Sequence, residues 1–422
     1  MKTPSIVDFH IHSKYSHATS KFMDLIALSA WGQLKGIGVM GTGDFTHPVW
    51  QRELREQLQE AESGLFEMKP EYRALVDQQV PDSCKASQRF LLSSEISTIF
   101  KRNGRCYRTH SIILAPDFAT VEKITKKLAT IGNLVHDGRP ILGLDVRDLL
   151  KIVLDSSPDS MLIPAHIWTP WFGLLGSKSG FNSIHEAFGD LVDHIFAIEK
   201  GLSSNFLMNA SLSELDRLAI LCNSDAHSVQ NLGREANLMK TTLSYDGITG
   251  ALRSNNPEQL IADKQLIAGI EFFPERGKYY GDGHRACGVY FTPEQTAQHH
   301  GRCPVCGKPV TVGVLNRVQQ LADRTPEQAA AFMRSRYQVV PLFDILQAEL
   351  NAPAASKKVT SLYHTMLAEI GSEFDILLKA PLEQIQQAST SGIAEFIGRI
   401  RTGNVKIQPG YDGVYGEIIL NK

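Results

Sequence analysis

The sequence predicts an α/β protein: a parallel sheet or barrel with helices outside it, then a small cysteine-bearing module, then a mainly helical region. Strand-like and helix-like runs alternate up to about residue 250, which favours parallel strands with outer helices. Six of the strand-like runs end in a metal-ligating side chain, and strand C-termini are where parallel α/β barrels carry chemistry. Near residue 275 the composition turns short, glycine-rich and cysteine-bearing. At 422 residues the chain can bury a large core and divide into two or three domains. A formal net charge of -2 gives no global basic field, although a local basic groove fits inside a neutral total. Six cysteines in so long a chain are no disulfide framework. MKTPSIVDFH has no apolar signal core, and no apolar run approaches the ~20 residues of a bilayer span. A cytoplasmic protein without a membrane partner is expected.

The elements follow in order. IVDFHIH reads as a buried strand and MDLIALSAWGQLKG as a helix. IGVMGTGDF is a second strand, and WQRELREQLQEAESG a charged helix. FLLSSEISTIF and THSIILA read as neighbouring strands, TVEKITKKLATIG and VRDLLKIVLDSS as helices. SMLIPAHIW, HIFAIEKG and LAILCNSDAH are strands again. Beyond Leu315 come helical stretches such as RVQQLADR, FDILQAEL and KVTSLYHTMLAEIG, ending in a glycine-rich turn, PGYDGVYG, between short strand-like runs. The expected domains are 1–275, 276–315 and 316–422.

Alternate residues on a strand share a face, so His10 and His12 project together from the end of the first strand, with His17 following. Two buried imidazoles side by side repel when protonated, and a metal ion removes the conflict. A single histidine here is more simply a polar strand end bonded to backbone or water. A pair trailed by a third favours metal. Asp225 and His227 in NSDAH repeat the alternate spacing. The full candidate set is His10, His12, His17, Asp44, Glu95, His110, His166, Asp225 and His227, too many for one ion. Two or three divalent ions (Zn, Mg or Mn) are implied, with Glu95 able to bridge. Such clusters activate water and clamp the oxygens of a phosphoryl group.

HIHSKYSH, GTGDF, SSEIS, TH, PAH and NSDAH resemble the ligand motifs of the PHP (polymerase and histidinol phosphatase) superfamily over the first 250 residues or so. That resemblance implies a distorted (β/α)7 barrel with a trinuclear metal site that hydrolyses phosphoesters. One departure stands out: the superfamily has Asp-His at the second motif, whereas Asp44 is followed here by Phe45. Either Asp44 or the nearby His47 takes that ligand place.

HRAC at 284–287 and CPVC at 303–306 supply two ligand pairs of equal spacing, suited to one closed structural zinc held by His284, Cys287, Cys303 and Cys306. His299 and His300 are rival ligands, and the symmetry of spacing favours His284. The order of parts is similar to the endonuclease Q family across nearly the whole chain: the barrel motifs, GIEFFPERGKYYGDGHRACGV, CPVCGKPVTVGVL, then helices ending in PGYDGVYG. HIWTPWFGLLGSKSGFNS and EKGLSSN also resemble that family. The resemblance implies a DNA repair endonuclease that cuts 5′ to a deaminated base (uracil, hypoxanthine, xanthine) or an abasic site. Asp225, His227, His10 and His12 would be catalytic, and the partner would be damaged double- or single-stranded DNA on the nucleoid.

The 166–183 loop fits DNA on physical grounds too. Trp168, Trp171 and Phe172 offer planar faces, and base–aromatic stacking is worth about 1–3 kcal/mol per base. Ser177, Lys178, Ser179 and Gly180 offer hydroxyls, backbone amides and a cation for a phosphate. Core aromatics beside a structural turn are the plainer alternative. Two rivals stand: a histidinol-phosphate-like small-molecule phosphatase, indifferent to loss of 276–422, and a degenerate barrel that binds DNA without cutting it. No GxxxxGK[ST] loop supports ATP-driven unwinding. The C-terminal YGEIILNK shows no convincing clamp-binding peptide, so a replication-clamp contact stays open.

Overall fold

A computed structural model describes residues 4–254 and 266–419, so the final residues of YGEIILNK lie outside the described part. The strand Ser5–Asp8 pairs parallel with Val39–Gly41, which pairs parallel with Arg89–Leu91. The chain continues into Ser93–Arg102 and returns as Arg105–Leu114. Its turn places Asn103 and Gly104 at φ of 51° and 79°, the left-handed pair that matches strand twist in a hairpin. Met161–Pro164 pairs antiparallel with the returning strand, and the Ile167 N–H donates to the Glu199 carbonyl. That bond brings in the parallel pair Ala197–Glu199 and Ala219–Leu221, and a parallel bridge between Ile11 and Ala226 closes the ring. The result is a distorted barrel with one reversed stave, Arg105–Leu114. Val7, Leu91, Ile112, Ile163 and Leu221 fill its interior, against Tyr245 and Leu252 of the helix Tyr245–Arg253.

Side-chain caps set where the outer helices begin. Asp24, Asp117 and Asp145 accept from the first-turn amides of helices Leu25–Lys35, Phe118–Ala129 and Val146–Ser156. One expectation is corrected. The charged run WQRELREQLQEAESG is helical only over Pro48–Gln57 and then becomes the strand Leu58–Glu62, paired with Leu65–Met68. Leu65 and Phe66 are buried and Phe66 registers with Phe90, so sheet pairing overrides helical propensity there.

The mainly helical C-terminal third is joined to the barrel by strand and charge. Arg336–Val339 pairs parallel with Leu266–Phe272, which runs antiparallel to Ala236–Met239, the neighbour of Ser5–Asp8. Lys35, at the end of its barrel helix, pairs at 2.8 Å with Glu373 of the helix Glu373–Leu378. Both side chains are buried. Between these parts lies the hairpin of Asp282–His284 with Val289–Phe291. No helix among the described residues is long and apolar enough to cross a membrane.

Candidate metal centre

The strand run HIH ends with His10 and His12 buried and facing one point. Each ring is fixed from behind. His10 Nδ1 lies 2.9 Å from Glu199 Oε2, and His12 Nδ1 lies 3.1 Å from Asp44 Oδ1. A carboxylate holding Nδ1–H leaves the Nε2 lone pair free and sets its direction. His10 Nε2 then lies 3.3 Å from Glu95 and 3.6 Å from Asp225. His12 Nε2 lies 3.3 Å from Glu95 and 3.2 Å from Asp225.

Two donor groups share one residue. His10, His12, Glu95 and Asp225 offer ligand atoms within 4.8 Å of one another, as do Glu95, His110 and His166. Glu95 presents Oε2 to the first group and Oε1 to the second, where His110 Nδ1 is 2.9 Å away and His166 Nε2 is 3.1 Å away. Arg139 Nη1 lies 3.2 Å from Glu95 Oε2. Asp44, His166 and Asp225 hold positive φ of 49°, 26° and 47°, a conformation that costs energy in non-glycine residues and clusters at functional sites.

The electrostatics fit cations. Burial pushes the Glu95 carboxyl up, yet His110, His10 and Arg139 outweigh it and hold the group well below the usual range. Asp225 is depressed likewise, by His10, His12 and His227 against burial. Burial pulls the His12 ring down, but hydrogen bonds with Asp225, Asp44 and Glu95 push it up to about 10. His110 goes the other way, pulled down to about 4 by burial despite Glu95. Divalent cations displace on binding the imidazole protons that balance such buried carboxylates. His10 Nε2 is buried with no hydrogen-bond partner, an orphan that a metal ion would satisfy.

The remaining candidates fall elsewhere. Asp44 Oδ1 lies against His12, and Oδ2 accepts from the Ser13 amide and the hydroxyls of Ser13 and Ser16. His47 caps the helix Pro48–Gln57, and its Nε2 lies 3.0 Å from the Val135 carbonyl. Neither Asp44 nor His47 falls within the two donor groups, and Asp44 contacts His12 from behind. His17 is exposed, with Nε2 3.1 Å from the His136 carbonyl, outside both groups. The His227 ring lies tilted at 49° with its centroid 4.4 Å from that of His12, and its Nδ1 lies 3.6 Å from Asp225.

In the 166–183 loop Trp168 is corrected: it is 1% exposed, and its indole N–H donates to Asn209 Oδ1, so it packs the core and offers no face. Trp171 is 37% exposed. Phe172, at φ 64°, packs 4.5 Å from His110 and carries the loop to the rim of the metal groups. Lys178 is exposed, Ser177 donates to the Val312 carbonyl, and Ser179 is buried, accepting from the Phe172 amide. Gly180 sits against the Gly176 backbone, where a side chain would clash.

Sequence reasoning missed Glu199, Arg139 and Thr169, whose Oγ1 lies 3.0 Å from His166 Nδ1. Glu199 had a signal, standing at the end of the strand-like run HIFAIEKG. The cysteine module matches its spacing. His284, Cys287, Cys303 and Cys306 lie within 4.8 Å of one another, with Cys306 Sγ 3.6 Å from His284 Nδ1. The rival His299 is stacked on Phe291 instead. Three cysteines and a histidine are a donor set of the kind that suits a structural zinc.

Residues 341–404 match the family described as the MJ0043 C-terminal domain. The chain is 31% identical over 294 residues to the uncharacterized protein MJ0043 of Methanocaldococcus jannaschii, an alignment covering 68% of the chain but only 35% of that relative. It superimposes on the lesion-specific endonuclease PfuEndoQ of Pyrococcus furiosus with a TM-score of 0.82 and 28% identity, covering 99% of this chain and 96% of that one. An endonuclease Q complex with a 27-mer duplex bearing an abasic lesion at its active site gives 0.83 and 27% identity, covering 100% and 97%.

Proposed function

We propose that this chain, which belongs to the endonuclease Q family, is a metal-dependent endodeoxyribonuclease that repairs lesions in duplex DNA. We assign it hydrolysis of the phosphodiester 5′ to a uracil, hypoxanthine, xanthine or abasic nucleotide, leaving a 3′-hydroxyl and a 5′-phosphate. The observation that carries this reading is the pair of donor groups joined through Glu95 at one barrel mouth, rimmed by Phe172. Divalent ions held there supply an activated water and an electrostatic clamp on phosphoryl oxygens. The residues do the rest. His10, His12, His110 and His166 would offer ring nitrogens once bound metal displaces their protons, and Glu95 and Asp225 offer charge, with His227 against His12. Glu199 and Asp44 hold His10 and His12 in the ligating tautomer. Arg139, beside Glu95 and partly exposed, supplies a cation toward the scissile phosphate.

Lesion choice rests on the rim. Trp171 and Phe172 suit a base swung out of the stack, and weak pairing lowers that cost by an amount on the order of a few kcal/mol. Uracil and hypoxanthine share a carbonyl beside a ring N–H where cytosine and adenine carry an amino group, so one set of backbone donors and acceptors can take both. The zinc module of 276–315 and the helical segment 316–422 would grip the duplex, placing the enzyme on the nucleoid.

The test uses labelled duplexes with one uracil, hypoxanthine, xanthine or abasic site beside an undamaged control. A nick 5′ to the lesion, lost with EDTA and in Asp225→Asn, supports the reading. Lesion-independent cutting, or rapid hydrolysis of a simple phosphomonoester with no nick, overturns it.

A further inference from the structure

The glycine-rich turn PGYDGVYG supplies no metal ligand, yet backbone bonds hold it firmly against the segment 275–281, which leads into the cysteine module. The amides of Gly410, Gly413 and Gly416 donate to the carbonyls of Glu275, Lys278 and Arg276, and the Gly281 amide donates back to Gly410. Two of the glycines are required by this close approach. A Cβ on Gly410 would stand 2.5 Å from the Gly277 oxygen, and one on Gly416 would stand 2.3 Å from the Glu275 oxygen. The motif therefore fixes a tip, and that tip presents Tyr415, 49% exposed.

Lys278 stands between two rings. Its Nζ lies 5.4 Å from the centre of the Tyr279 ring and 5.9 Å from that of Tyr415. Ring faces attract the ammonium and restrict where it sits, while leaving its N–H donors open. Lys278 is exposed and forms no ion pair among the described residues. The line continues to the metal groups. Tyr279 meets Trp171 with centroids 6.0 Å apart and planes at 64°, and Trp171 adjoins Phe172, whose ring packs 4.5 Å from His110.

An uncompensated cation and a phenol hydroxyl at the end of an aromatic line suit an anion that reaches the same mouth. Phosphodiester oxygens meet that need, because lysine and tyrosine donate to them without reading sequence. A cation already restricted by two rings loses less freedom on binding than a free lysine.

We propose that Lys278 and Tyr415 hold one backbone phosphate of the DNA outside the metal mouth, with the aromatic line from Phe172 to Tyr415 spanning the gap to the scissile bond. This rests on the reading of duplex DNA as the substrate. Both are positioning residues, since neither belongs to the donor groups around Glu95.

The test is fluorescence-anisotropy titration of a labelled undamaged duplex with the metal-loaded protein, at salt from about 50 to 200 mM. Single-turnover nicking of an abasic duplex by saturating enzyme runs beside it. Losing one phosphate contact flattens the slope of log K against log[salt] by about 0.9, and Lys278→Gln is expected to show that loss. Tyr415→Phe keeps the ring and should weaken binding several-fold with the slope unchanged. Lys151→Gln, at an exposed lysine paired with Asp155, makes the same charge change and should keep the slope. Nicking at saturating enzyme should stay within about twofold of the unaltered protein in all three. An unchanged slope in Lys278→Gln overturns the proposal, as does unaltered affinity in Tyr415→Phe. An equal loss in Lys151→Gln also overturns it, because the effect would then be one of overall charge. So does loss of single-turnover nicking with metal content intact, which would put Lys278 at the reacting bond. The expected slope change without any nick would support this contact and remove the repair reading; a lesion-specific nick with an unchanged slope would do the reverse.

Discussion

Glu199→Gln should cost more than its small change in shape suggests. Glu199 is 1% exposed and receives three donors: His10 Nδ1 and Asn223 Nδ2 at 2.9 Å on Oε2, and the His166 amide at 2.9 Å on Oε1. A glutamine offers one oxygen and one NH₂. With the oxygen in the Oε2 position, the NH₂ faces the His166 peptide N–H, which cannot turn away. With the NH₂ there, it meets the donors of His10 and Asn223, and His10 must move its proton to Nε2, the atom aimed at Glu95 and Asp225. Either arrangement leaves a buried donor unmet, a cost of about 1–3 kcal/mol. Loss of a partner behind a metal-ligating histidine lowers metal affinity or activity by roughly 10–100-fold. At about 1.4 kcal/mol per decade the two routes agree. The assay is competition of the apo protein with a chromogenic chelator for Zn²⁺ or Mn²⁺, alongside nicking rates at saturating metal. Affinity within about twofold of the unaltered protein, on the same scale, would refute the positioning role of Glu199.

Three further outcomes follow from the geometry. Asp44→Asn should weaken metal binding by roughly 10–100-fold through His12, whereas His47→Ala should leave metal affinity unchanged and lower only helix stability; chelator competition on both variants decides it. Cys306→Ser should release one zinc per chain, seen by atomic absorption, and expose the loop 299–308 to protease while the barrel's metal content stays constant. Glu373→Leu leaves Lys35 buried without its partner and should cost about 3–5 kcal/mol in urea unfolding; adding Lys35→Met should recover much of that loss, and equal stability of the single and double variants would contradict it.

What could be read from the sequence was local. The two-residue spacing of His10 with His12 and of Asp225 with His227 is fixed by strand geometry, so their shared face was legible. The cysteine module was legible for the same reason, its ligands arriving in short turns. Glu199 and Arg139 were hidden because their partners lie far along the chain and become neighbours only when the barrel closes. Spacing gave His17 no distinction from His12, yet the chain turns after Ser16 and leaves it exposed. Trp168 and Trp171 look alike in sequence; which one faces inward depends on Asn209, contributed by a distant helix. The strand Arg336–Val339 lies in a stretch whose local pattern is helical, and its partner is supplied by another part of the chain.

Glu95 joins the two donor groups, and crystallographic anomalous scattering from the metal-loaded protein tests this most directly. Peaks on both sides of Glu95, one toward His10, His12 and Asp225 and one toward His110 and His166, are the predicted result. A single barrel peak with Glu95 unligated, in protein that nicks lesion duplexes at full rate, would contradict it.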